Sequence, residues 1–146
     1  MLTPSQISIS ARGLLCLGAL VIVVLMLGPF QGAERHFGLN DFAAHAIAFY
    51  GLTALCFLAG PRLRRNDIAL VLVALGAAME VAQGVTGRSA SFHDLAADAV
   101  GVFAAWAPAQ IETLRRLARE HPHLRLNELP DRRARRSAQA KPVRAV

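Results

Sequence analysis

Residues 13–30 read GLLCLGALVIVVLMLGPF, eighteen positions without a charged, amide or imidazole side chain. As an α-helix rising about 1.5 Å per residue, the run reaches nearly across a hydrocarbon core of about 30 Å. Buried helices of soluble domains do not ordinarily stay apolar on every face for that long. This stretch therefore predicts a membrane span and sets the class of the whole chain. A cleavable signal peptide is the competing reading, because the run is N-terminal and follows Arg12. Its apolar core exceeds the usual 7–15 residues, and only the weak Gln31-Gly32-Ala33 follows as a cleavage site, so an uncleaved helix is favoured.

Three further apolar runs follow, at 42–60, 68–85 and 95–111. With an apolar share of 54% over 146 residues, the expected fold is all-α: an integral membrane four-helix bundle over 1–111. Residues 112–146 are expected to form a basic tail, helical over 114–126 and disordered beyond. Small residues such as Ala43, Ala44, Gly76, Ala77, Ala96 and Ala97 recur in the spans. They suit close helix packing, although alanine-rich composition explains them as well.

Charge orients the spans. Ten of the sixteen Lys and Arg residues follow Ile111, against four acids there, while the first 111 residues balance six bases with six acids. The connector 61–67 carries Arg62, Arg64 and Arg65, whereas 31–41 and 86–94 carry one Arg each, Arg35 and Arg88. The positive-inside rule then puts both termini and the 61–67 connector in the cytoplasm, in a multi-pass protein of the bacterial inner membrane. The cluster Arg132, Arg133, Arg135 and Arg136 is expected to attract anionic lipid head groups. It lacks the aromatic interleaving of a nucleic-acid site, so no nucleic-acid partner is expected. Cys16 and Cys56 sit within apolar runs, with neither a disulfide framework nor zinc spacing.

Within this layout the ionisable residues of the spans gather at one level. Asp41 and His45 share a face at i, i+4 where the second run begins. Glu80 and Gln83 end the third run, Arg88 lies in the following connector, and His93, Asp94 and Asp98 open the fourth. Alternation brings all of these to the outer membrane face. Ionisable groups at mid-bilayer cost roughly 2.5–3.5 kcal/mol to insert, and in a helix interior they gain nothing from capping. His45, Glu80 and Asp98 are therefore the candidate catalytic residues, and Asp41, Gln83, Arg88 and Asp94 the candidate substrate-binding residues. Asp41 and Asp94 also qualify as helix caps, and His36 and His93 as exposed loop residues. Such a set could hold a general acid and base, or a divalent cation on oxygen and nitrogen ligands. Spacing alone chooses neither, and HExxH, nucleophile-elbow and phosphate-loop motifs are absent. A polar cluster confined to one level fits a transporter or channel poorly.

The segments DFAAH (41–45), EVAQ (80–83) and GRSASFHDLAADAVG (87–101) together resemble the VanZ-like family over about residues 41–105. These are small polytopic bacterial membrane proteins, named for a member associated with low-level teicoplanin resistance. The resemblance implies a cell-envelope protein with an outward polar site, and names no reaction. Relatives usually carry Lys at the position of Phe42, Asn at that of Asp98 and Tyr at that of Phe49. The site of this chain is correspondingly more acidic, which favours a bound proton or cation. A polar or lipid-linked head group is the expected ligand class. A non-catalytic scaffold, with the same residues as an interhelical packing network, is the alternative.

Overall fold

The computed structural model describes residues 3–28, 33–85 and 91–124. All regular structure among them is helical: α1 (Pro4–Leu27), α2 (Asp41–Ala59), α3 (Arg65–Val85), α4 (Phe92–Glu120), and a short 3-10 turn at Ala33–Phe37. By length and apolar composition α1, α2 and α3 are each able to cross a membrane. The chain divides into two compact units, Met1–Gln110 and Ile111–Val146, with the boundary inside α4.

α1 begins nine residues before the expected span at Gly13. Thr3 caps it, its hydroxyl accepting from the Gln6 backbone while the Gln6 side chain accepts from the Thr3 backbone, and Pro4 takes the first helical position. Apolarity measures how much of a helix lies in lipid, whereas the caps set where it starts. The helix expected over 114–126 is the continuation of α4 past Ile111, and it ends at Glu120. There Glu112 pairs with Arg115 and Arg119, and Arg116 with Glu120. Exposed pairs of this kind add only about 0.3–0.5 kcal/mol each, enough to support a solvated turn. The basic cluster at 132–136 lies outside the described residues, as does Arg88.

In the first unit large apolar side chains lie outside as well as in the core. Leu14, Leu17, Leu20, Leu70, Val71 and Val81 are exposed, whereas His45, Thr53, Glu80, Gln83 and Asp98 are buried beside apolar residues such as Phe49, Leu52 and Val102. Large apolar side chains turned outward, with polar groups kept inside, are what a lipid solvent selects. The buried positions form one stripe per helix at 3.6-residue spacing. They are His45, Phe49, Leu52 and Thr53 on α2, Leu72, Gly76, Met79, Glu80 and Gln83 on α3, and Ala97, Asp98, Gly101 and Val102 on α4.

α1 packs on α2 and α3, and α2 on α3. Glycines set the approach of α4. A Cβ at Gly101 would overlap the Ala46 carbonyl oxygen and lie 2.9 Å from the Tyr50 backbone nitrogen, while one at Gly76 would lie 2.7 Å from Asp98 Oδ2. Such contacts replace hydrophobic burial as the source of cohesion, because lipid is as apolar as the helix surfaces. At the far end Arg12 donates to the Ala59 carbonyl, a free acceptor at the C-terminus of α2 (3.1 Å). Trp106 and Gln110 both donate to Asn66 Oδ1, at 3.0 and 2.8 Å, and Arg65 donates to the Ala109 carbonyl at 2.7 Å. These bonds tie the start of α3 to the 106–110 segment of α4, so the two helices run antiparallel.

Candidate polar site at the helix ends

The start of α2 is built by local chemistry. The 3-10 turn closes at Gly38, whose φ of 70° is accessible to glycine at little cost. Asn40 follows in extended conformation and accepts from the Ala43 backbone at 2.8 Å. The cap is therefore Asn40, and Asp41 is the first helical residue, not the capping group expected from its position. Asparagine leads the N-cap ranking, so this was legible from the sequence. α4 repeats the pattern. Ser91 Oγ accepts from the His93 backbone at 3.1 Å, leaving Asp94 within the first turn rather than at the cap. The spacing Ser91-x-x-Asp94 is itself an N-terminal signature.

With these starts set, His45 lies one turn into α2 above Asp41, and Asp98 one turn into α4 above Asp94. His45 Nδ1 and Asp98 Oδ1 are 2.8 Å apart and join the two helices. An ionised Asp98 can only accept, so a neutral His45 would then carry its proton on Nδ1 and its lone pair on Nε2. Nε2 faces Asp41 Oδ1 at 3.8 Å, beyond hydrogen-bond range. The His45 side chain is about nine-tenths buried and that of Asp98 is 1% exposed, while the Asp41 side chain is 63% exposed. The ring thus stands between an inner carboxylate and one at the rim.

Glu80 arrives from the last turns of α3. One donor atom each of His45, Glu80 and Asp98 falls within 4.8 Å of the other two, and all three residues are buried. Glu80 Oε2 accepts the Ser91 backbone N–H at 2.7 Å, tying the end of α3 to the start of α4. Sequence reading did not single out Ser91, because a backbone donor leaves no trace in side-chain chemistry. A second set, Asp41, His45 and Asp94, meets the same distance condition, with Asp41 on the Nε2 side of the ring. His93 stands at the rim, exposed, its ring 4.8 Å from that of Phe42.

The structure therefore brings together His45, Glu80, Asp98, Asp41 and Asp94. Gln83, buried near the end of α3, also reaches α1. Its amide donates to the Met26 carbonyl at 3.0 Å, in the last turn of that helix. Thr53, also absent from the sequence reading, donates to the Phe49 carbonyl at 2.6 Å and so satisfies itself within α2. No side-chain nitrogen or oxygen fully shut off from solvent among the described residues lacks a partner, so Nε2 of His45, which makes no hydrogen bond, still reaches the surface. The inner set places two carboxylates beside a single imidazole, which even when protonated would carry one positive charge against two negative ones. No family model, curated protein or solved structure matches the chain.

Proposed function

We propose that this chain is a VanZ-like integral membrane protein of the bacterial cell envelope, whose outward-facing polar site binds or processes a polar or lipid-linked head group. In this reading it crosses the inner membrane four times as a four-helix bundle, with both termini and the basic tail in the cytoplasm. α4 makes the fourth crossing. Asp98, which dilutes its apolarity, is buried, whereas Val100, Phe103 and Ile111 are exposed as a lipid-facing surface requires. His45 or Glu80 transfers protons, Arg88 recognises an anionic group, and Asp41 and Asp94 form the mouth.

The observation that carries the reading is the convergence of His45, Glu80 and Asp98 from three helices within 4.8 Å, beside the solvent-facing Asp41. Ionisable groups so placed in a lipid-facing protein are expensive to insert, and they persist where a pathway or a site uses them. A second reading is favoured by the complete pairing of the buried polar atoms among the described residues. There the same residues form an interhelical network that sets packing, each contact worth about 0.6–2 kcal/mol. The Glu80→Gln variant separates the two. It keeps an acceptor for the Ser91 N–H and removes the charge. Head-group chemistry predicts normal insertion with failure to restore envelope-stress resistance in a deletion strain. A packing role predicts full restoration.

A further inference from the structure

We infer that the outer side of His45 is a binding site for a divalent transition-metal ion of the Zn2+ type, ligated by His45 Nε2 and the carboxylates of Asp41 and Asp94, with Asp98 as the positioning residue behind the ring. The inference goes beyond the head-group reading and does not depend on it, since a metal can be bound and measured without any organic ligand; with Nε2 on the ion, proton transfer in that reading falls to Glu80.

Two carboxylates and an imidazole near helix ends would not by themselves identify a site. The independent observation is the state of the ring. The His45 side chain is about nine-tenths buried, its Nδ1 is committed to Asp98 at 2.8 Å, and its Nε2 has no hydrogen bond, with Asp41 Oδ1 at 3.8 Å. With Asp98 ionised, this geometry leaves the lone pair on Nε2, the nitrogen that faces Asp41. A carboxylate on the far nitrogen is the usual arrangement behind a metal-ligating histidine, where it selects the tautomer, orients the ring and raises its basicity.

The distances fit. Zn–N and Zn–O bonds of about 2.0–2.2 Å place tetrahedral donors about 3.4 Å apart. The 3.8 Å between Nε2 and Asp41 Oδ1 needs only a small closure. Donors of Asp41, His45 and Asp94 all lie within 4.8 Å of one another. Asp41 is exposed and sits in the first turn of α2, where rotamer changes meet little resistance. Asp94 has a side chain 13% exposed and comes from α4, so the ion would clip the two helices together. Three protein ligands on the rim leave a coordination position open toward the outside. The imidazole favours a transition metal over Mg2+ or Ca2+, which prefer oxygen alone.

The test uses the full chain, purified in detergent with a tag free of histidine, stripped with chelator and titrated with Zn2+ by calorimetry. Co2+ serves as a spectroscopic probe. A single equivalent is expected to bind, with Co2+ absorption showing nitrogen and oxygen ligation in a low-coordinate site. Asp41→Asn and Asp94→Asn should each weaken binding about tenfold or more, and Asp98→Asn about 10–100-fold, with a shifted Co2+ spectrum. Glu80→Gln should weaken Zn2+ binding less than Asp41→Asn does, which separates this site from the inner set. The absence of saturable binding overturns the proposal. So does binding that survives His45→Ala, which would assign the ion to His36, His93, His121 or His123. Loss of binding in Glu80→Gln with no change in Asp41→Asn also overturns it, placing the ion inward. Should His45→Ala fail to fold, Asp41→Asn at its exposed carboxylate decides the matter.

Discussion

Replacing Gly101 with alanine tests the packing that brings the polar residues together. The new Cβ would overlap the Ala46 carbonyl oxygen and stand 2.9 Å from the Tyr50 nitrogen and 3.0 Å from the Ala46 carbonyl carbon. All three are backbone atoms of α2, so no side chain can turn aside, and α4 must withdraw by something on the order of 0.5–1 Å to reach ordinary contact. Overpacking costs about 1–3 kcal/mol, and an obstacle made of backbone belongs at the upper end. Alanine returns about 1 kcal/mol through its better helix propensity. The net loss is then about 2 kcal/mol, or about 30-fold in the folded-to-unfolded ratio. Reversible unfolding in mixed micelles, followed by far-UV circular dichroism, measures it. Gly13→Ala and Gly51→Ala are the controls. A Cβ at either meets nothing within 4 Å, so propensity acts alone and each variant gains up to about 1 kcal/mol. If Gly101→Ala gains stability as the controls do, α2 and α4 do not approach this closely, and the geometry around His45 loses its support.

Two further outcomes can be checked directly. His45→Ala leaves the Asp98 carboxylate buried without its partner and should cost about 3 kcal/mol, much of it recovered in His45→Ala/Asp98→Ala; additivity of the two single effects within about 0.5 kcal/mol would mean that the 2.8 Å contact carries no coupling. In a chain whose Cys16 and Cys56 are replaced by alanine, an impermeant thiol reagent should label Ser89→Cys from outside and leave Arg64→Cys unlabelled. The reverse pattern would turn the site toward the cytoplasm.

Much of the helical layout was legible in the residues because apolar length and 3.6-residue spacing are local properties. The stripe that buries His45 with Phe49, Leu52 and Thr53 follows from spacing alone once the helix is recognised. Helix ends were less legible wherever the reading followed apolarity. Thr3 and Gln6 start α1 in a stretch that a hydropathy reading passes over, whereas the helix expected over 114–126 is the end of α4, which paired charges support as far as Glu120. The caps at Asn40 and Ser91 were visible as residue types, but the neighbouring aspartates drew the attention.

From the sequence alone came the all-helical class, the apolar lengths suited to lipid, and the grouping of His45, Glu80 and Asp98 among the polar ends of three helices. Only the tertiary structure decided which groups meet. Asp98, rather than Glu80, takes His45 Nδ1; Glu80 takes the Ser91 backbone; and the Gln83 amide donates to the Met26 carbonyl. The physical reason is that hydrogen bonds form over about 3 Å, whereas periodicity specifies a face of a helix many ångströms wide. The distance between faces depends on the volumes that touch across helices, here the missing side chains of Gly76 and Gly101, and no single segment of the chain contains that information.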